Sequence, residues 1–418
     1  MDPERIFELE AREEAVEVGG RQVRLLTYGG SFPGPLLALR EGERVRIRFR
    51  NGLDEPTNLH LHGIPLPPEV DAPHRVLQPG ESADYAFRLQ PGSAGTYWYH
   101  PHLHGQVARQ LGAGLAGALV VRGPVDETVL AGIPEQTLLL HDLALGADGT
   151  PLPPGGIDWL HGQEGDLVLV NGAVEPALHL PATLSRIRLV NAATARYFHL
   201  DLPGAELFLV GQDGGILEAP VAVERLLLAP GERADVLVRA DAGAALVLRG
   251  LPYARGGKKA AAEALPLARI EVGNLQGLPL PARLREVELL EASTAHRTRR
   301  ITWGGAMRPL RFFVNGRAFD PHRVDVHARL GTTEIWEIRN PMHLDHPFHL
   351  HTHAFQILDR DGVPEPFRAW RDVVNVRPGE VVRILVPFRE HPGLTMFHCH
   401  IVEHEDRGMM AHLEVLEG

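Results

Sequence analysis

Four clusters in this 418-residue chain have residue types and spacing suited to metal chemistry. They are His60-Leu61-His62-Gly63, His100-Pro101-His102, His346-Pro347-Phe348-His349-Leu350-His351, and the run from His398-Cys399-His400 through His404 to Met409. On a strand, residues two apart share a face, so each His-x-His points two imidazoles the same way. Four pairs supply eight imidazoles, donors that suit copper, zinc, iron or nickel. The fourth cluster narrows the metal. Cys399 lies between two histidines and so points to the opposite face, with His404 and Met409 following in a tight loop. One thiolate, two imidazoles and a weak thioether make a blue-copper electron-transfer site. The second imidazole must come from elsewhere, and His346 is the spare histidine of the third cluster. Structural zinc sites are closed tetrahedra and need neither ten histidines nor a methionine. A single His-x-His would read more simply as packed core; four in homologous positions do not.

The two kinds of site are joined back to back. An electron arriving at the thiolate site can leave through the Cys399 sulfur and main chain to His398 or His400.

The elements that position these clusters repeat three times. Alternating runs end at Asn51 (Arg44 to Arg50), Asn191 (Arg186 to Val190) and Asn340 (Glu334 to Arg339). Such alternation marks half-buried strands. Nine and eleven residues after each Asn come His60 and His62, Leu200 and Leu202, His349 and His351. A Pro-Gly-Glu turn recurs at Pro79, Pro230 and Pro378. A strand follows each, running into a histidine cluster in copies one and three and into Leu246-Val247-Leu248-Arg249 in copy two. The reading is an all-β chain of three related domains, residues 1–124, 125–275 and 276–418, each a Greek-key sandwich or barrel. Copies one and three carry the chemistry, and copy two is a spacer holding them together. Arg255 to Ala262 reads as a mobile excursion of the second domain.

Composition agrees and excludes other classes. Gly (44) and Pro (34) are abundant, as in short strands joined by turns. No apolar run approaches 18 residues, so no membrane span is expected. A formal net charge of −11 argues against nucleic acid as a partner. Cys399 is the only cysteine, so no disulfide forms within the chain. The only lysines are Lys258 and Lys259, a skew that fits a GC-rich genome, and the Pro-rich loops lean towards a thermophilic source.

At these four motifs, in this order and within this threefold repeat, the sequence resembles the multicopper oxidases: laccases, bacterial spore-coat and copper-efflux oxidases, and bilirubin oxidases. The resemblance covers essentially the whole chain. It implies cupredoxin-like domains, four coppers per chain and dioxygen as the oxidant. It implies a type 1 copper held by His346, Cys399, His404 and Met409. It also implies a trinuclear cluster between the first and third domains, with His60 and His349 on the type 2 copper. The type 3 pair would take His62, His100, His102, His351, His398 and His400. The reductant would meet the edge of His404, in this family the more exposed type 1 ligand. Asp71 and Glu405 match acidic residues that the family uses beside the cluster, and are expected to supply protons.

Among the other histidines, His104 and His353 each extend a pair by two residues and read as interface residues around the cluster. His343 lies just before the type 1 motif, where a substrate could touch it, but reads first as a surface-loop residue. The rest read as ordinary surface or core positions. A copper nitrite reductase needs fewer histidines, and a copper-storage protein needs no electron path between sites. With six Met and no Met-rich stretch, the chain favours a small aromatic reductant over a metal ion such as cuprous ion. Bacterial relatives are commonly exported. A periplasmic or extracellular monomer is therefore expected, although Met1-Asp2-Pro3-Glu4-Arg5 carries no leader signal.

Overall fold

The structure, a computed structural model, describes residues 4–256 and 263–418. Six sheets fall into three successive pairs: two of four strands within residues 4–122, one of six and one of five within 135–275, and again six and five within 297–416. Helices are short; Val107–Gly112 has six residues. Each pair of sheets encloses its own apolar core. Val45, Ile47, Phe49 and Tyr85 fill the first, Ile187, Leu189, Val236 and Leu237 the second, and Trp336, Phe348, Ile384 and Phe397 the third.

The threefold repeat seen in the sequence is a repeat of hydrogen bonds. Asn51 N donates to Glu81 O and its carbonyl accepts from Gly80 N; Asn191 does the same with Glu232 and Gly231, and Asn340 with Glu380 and Gly379. Each Asn Oδ1 accepts from the backbone two residues on, at Leu53, Ala193 and Met342, all at 3.0 Å. Each Nδ2 donates to two carbonyls, one in the loop just beyond and one on a segment distant in the chain. The Asn therefore ends one strand, fixes the Pro-Gly-Glu turn and aims the segment that carries the ligand positions. In copy two that segment places buried Leu200 and Leu202 where the others have histidines.

Pairing register then brings the clusters together. In the first domain His60–His62 runs beside Gly95–His100, with His60 opposite His100. In the third, His346–Leu350 lies between Val373–Val376 and Gly393–Cys399, with His349 opposite His398 and Phe348 opposite Cys399.

Two expectations change. The strand Leu184–Asn191 is not half-buried: all eight residues are covered, Arg186 and Arg188 included. This strand packs against the first domain, and the two guanidinium groups pair with Asp126 and Asp235. Buried charges persist only when paired and hydrogen-bonded in this way. The excursion expected at Arg255 to Ala262 begins with a residue that is not mobile surface. Arg255 is buried, its guanidinium over the Tyr197 ring and bonded to the His161 carbonyl. Residues 257–262 lie outside the described residues.

Candidate metal centres

The first donor set lies within the third domain's core. Strand Gly393–Cys399 delivers Cys399, strand His346–Leu350 begins with His346, and the short helix Val402–Asp406 folds His404 back over both. Cys399 Sγ is 3.5 Å from His346 Nδ1 and 3.9 Å from His404 Nδ1, and the two nitrogens are 3.2 Å apart. Burial holds His346 well below its usual range and lowers His404 to about 3, so both rings are neutral and offer lone pairs. Burial pushes the Cys399 thiol up. A thiolate here needs a cation beside it, and the convergence of two lone pairs on the sulfur leaves a place for one. Met410 lies opposite His398 in register and shares its face. Met409, one residue earlier, is turned to the Cys399 side, is fully buried and packs in the same core as Cys399.

Eight further rings meet between the first and third domains, all buried. His102 Nε2 and His351 Nε2 each lie 3.1 Å from His398 Nε2. His62 Nδ1 lies 3.3 Å from both His100 Nε2 and His400 Nε2. His60 Nε2 and His349 Nε2 are buried with no hydrogen-bond partner. On six of the eight rings the outward nitrogen has a hydrogen-bond acceptor, whereas His400 Nδ1 is buried with no partner. His60 Nδ1 donates to Asp71 Oδ1 at 2.6 Å and His351 Nδ1 to Asp71 Oδ2 at 2.8 Å. The Nδ1 atoms of His100, His349 and His398 donate to the carbonyls of Pro101, Asp372 and Cys399 at 2.8, 2.9 and 3.0 Å. With those protons facing outward, the inner nitrogens of these six rings are bare lone pairs. Burial keeps six of the rings neutral: His62, His100, His102, His349 and His400 fall well below the usual range and His60 to about 4. Such an array is repulsive until cations sit inside it, and imidazole donors suit copper. Among the described residues three metal-sized groups consist of histidines alone: His60 with His349 and His351, His62 with His60 and His100, and His102 with His351 and His398; a fourth joins His62 and His349 to Asp372.

Both carboxylates singled out in the sequence reach this array. Burial opposes ionisation of Asp71, but the His60 and His351 rings outweigh it and hold the carboxyl well below its usual range. Glu405 Oε2 lies 3.1 Å from His398 Nδ1 and Oε1 3.5 Å from His102 Nε2, yet neither contact is a directed hydrogen bond. Sequence reasoning missed Asp372, whose Oδ1 accepts from His62 Nε2 at 3.0 Å. It is 23 residues beyond His349, outside every repeated motif, and no spacing signal points to it.

The exposed edge expected for His404 is absent. The ring is fully buried, and its Nε2 donates to the Leu160 carbonyl at 3.0 Å. The one-turn helix Asp158–His161 covers it, held by Arg407 stacked 4.1 Å from the Trp159 ring. A cavity of about 400 Å³ reaches His346 instead, lined by Leu160, Met307, Phe312, Met342 and His343. Trp303 is buried in the core, although residues 305–307 of the same strand reach the cavity. Asp345 turns away to bind Tyr253 and Asn375. His353 packs on Phe388 and His104 on Phe319; neither joins a donor set.

Multicopper oxidase family profiles match residues 10–126, 155–247 and 286–418. A multicopper oxidase of Staphylococcus haemolyticus is 32% identical over 400 residues, spanning 93% of this chain and 83% of the relative. The chain belongs to the multicopper oxidase family. The oxidase is also 28% identical to a laccase of Bacillus subtilis, over 94% of this chain and 90% of that one. A multicopper oxidase from Campylobacter jejuni, described as a metallo-oxidase, superposes with a TM-score of 0.91 at 34% identity, covering 99% and 91% of the two chains. Membership makes the chain an oxygen oxidoreductase and implies copper and dioxygen. The histidine groups are consistent with copper sites. The mostly β architecture agrees with three cupredoxin domains. No helix among the described residues is long and apolar enough to cross a membrane.

Proposed function

We propose that the enzyme is a laccase-type oxidase, coupling one-electron oxidation of phenols or aromatic amines to four-electron reduction of dioxygen to water. In this reading it carries four coppers: a type 1 ion on His346, Cys399, His404 and Met409, a type 2 ion on His60 and His349, and a type 3 pair. His62, His100 and His400 hold one ion of that pair and His102, His351 and His398 the other. Bound copper supplies single-electron uptake at the first site and multi-electron reduction of dioxygen at the second.

The protein's own groups do the rest. Cys399 faces one donor set while its chain neighbours His398 and His400 face the other, so a few covalent bonds link the two. Asp71 orients His60 and His351 through their Nδ1 atoms, fixing which nitrogen each ring turns inward. Glu405, buried with both oxygens free of hydrogen-bond partners, is placed to hold a proton beside His398 and His102. His404 is a ligand that donates to Leu160, and the reductant meets His346.

The apolar cavity at His346 is the observation that carries the substrate class. An aromatic ring fits its Leu, Met and Phe walls, and no carboxylate among the described residues lines it to receive ferrous ion. A second reading has one specific support: Met307 and Met342, far apart in sequence, both line this cavity, and thioethers suit cuprous ion. Steady-state oxidation of a phenol, cuprous ion and ferrous ion by fully copper-loaded enzyme separates these readings. Phenol turnover without added copper, unchanged in Met342→Leu, is expected. A strong requirement for excess copper, removed by Met342→Leu, would replace the laccase reading with the cuprous one. Copper content together with oxygen uptake separates both from nitrite reduction or copper storage. The proposal includes a periplasmic or extracellular location, which cell fractionation with immunodetection tests.

A further inference from the structure

No described residue of the middle domain joins a donor set, yet its Pro-Gly-Glu turn reaches the trinuclear array. A Cβ on Gly231 would fall 2.8 Å from the His400 ring, at a φ of +84°, so only glycine lets the turn lie there. Two residues on, Arg233 is wholly buried. Its Nε donates to Thr96 O at 3.0 Å, Nη1 to Gly231 O at 3.0 Å, and the fork closes on Asp372 with Nη1–Oδ1 2.7 Å and Nη2–Oδ2 2.6 Å. Gly63, at φ +86°, leaves the space for this pair: a Cβ there would lie 2.7 Å from Asp372 Oδ2.

Asp372 in turn touches two of the eight rings. Its carbonyl accepts from His349 Nδ1 at 2.9 Å and its Oδ1 from His62 Nε2 at 3.0 Å. His62 is the exception among the eight. It turns Nδ1 towards its neighbours, while the other seven turn Nε2 inward. An imidazole offers a lone pair only on the nitrogen that is not protonated, so an acceptor at Nε2 leaves Nδ1 bare. A bidentate guanidinium fixes a carboxylate's position and orientation.

We propose that Arg233 of the middle domain and Asp372 of the third are a positioning pair that makes His62 present Nδ1 to the metal, so that the supposed spacer helps build the trinuclear centre. The proposal rests on the copper assignment above.

Two double variants test it, both removing the buried charge pair. Arg233→Met with Asp372→Asn leaves an amide oxygen to accept from His62; Arg233→Met with Asp372→Leu leaves none. Copper retained against increasing chelator is measured, along with the blue band and the near-ultraviolet band of the coupled type 3 pair. The Leu variant should keep the blue band, lose the near-ultraviolet band and release trinuclear copper at about 10- to 100-fold lower chelator. The Asn variant should stay close to wild type. Equal copper retention and equal bands in the two would overturn the positioning role. Arg233→Lys keeps the charge without the fork, so it guards against misfolding. It should perturb the near-ultraviolet band and weaken copper retention about tenfold. An unchanged band there would overturn the middle domain's part. Wild-type protein with neither band would overturn the copper assignment itself.

Discussion

Replacing Asp71 by Asn disturbs two rings of the histidine array with one atom. Asp71 accepts from His60 at 2.6 Å and from His351 at 2.8 Å, one on each oxygen. Asparagine has one oxygen and one NH2. Whichever way the amide turns, one imidazole N–H meets a donor where it had an acceptor. A hydrogen bond to a charged group contributes about 1.5–3 kcal/mol, and about 1.4 kcal/mol is a factor of ten. Losing one bond therefore predicts a fall of about 10- to 100-fold in turnover, the range seen when outer partners of metal ligands are removed. Asp71→Ala loses both bonds and should be at least as damaging. Glu405→Gln should slow turnover without loss of copper, since no ring depends on a directed bond to Glu405. Blue-copper reduction should be untouched in all three, because Asp71 and Glu405 make no hydrogen bond to His346, Cys399 or His404. Stopped-flow mixing with a phenol without oxygen reads that step as bleaching, and a second mix with oxygen reads reoxidation. Normal bleaching with slow reoxidation is expected. Slow bleaching with normal reoxidation would refute the placement of these carboxylates on the oxygen side.

Cys399→Ser should abolish the blue band and oxidase activity while sparing the type 2 electron paramagnetic resonance signal; a blue variant would remove the type 1 assignment. Met409→Leu should keep the colour and raise the type 1 potential, whereas Met410→Leu, on the His398 face, should leave it nearly unchanged; redox titration of both checks this. Asp126→Asn breaks the buried contacts with Arg186 and Arg188 and should cost about 3–5 kcal/mol in chemical denaturation. Burial raises the Asp126 carboxyl, but the two arginines outweigh it and leave it below its usual range. Its contribution is therefore fully present above about pH 3.9, the unfolded value, and is lost as pH falls through the lower folded one. The variant should lose stability less steeply than wild type in that acid range; an identical acid limb would show that Asp126 is not a source of it.

The sequence by itself determined the donors and the repeat. His-x-His pairs on strands, a cysteine between two of them and an Asn ahead of each ligand position are local patterns, read by strand alternation and spacing. The Asn hydrogen bonds recur in all three copies because each uses only groups in its own domain. Tertiary structure decided whatever depends on residues distant in the chain. His404 is covered because a middle-domain turn, 244 residues before it, brings the Leu160 carbonyl to its Nε2. Met307 and Met342 share a cavity only once the strand Arg297–Met307 packs beside the loop before His346. Asp372 and Arg233 are 139 residues apart, and neither belongs to a metal motif. Their roles arise because burying a guanidinium requires a carboxylate partner, and the partner that packing supplies also touches two of the rings. Local periodicity fixes which face a side chain takes, but only packing between domains fixes what that face meets.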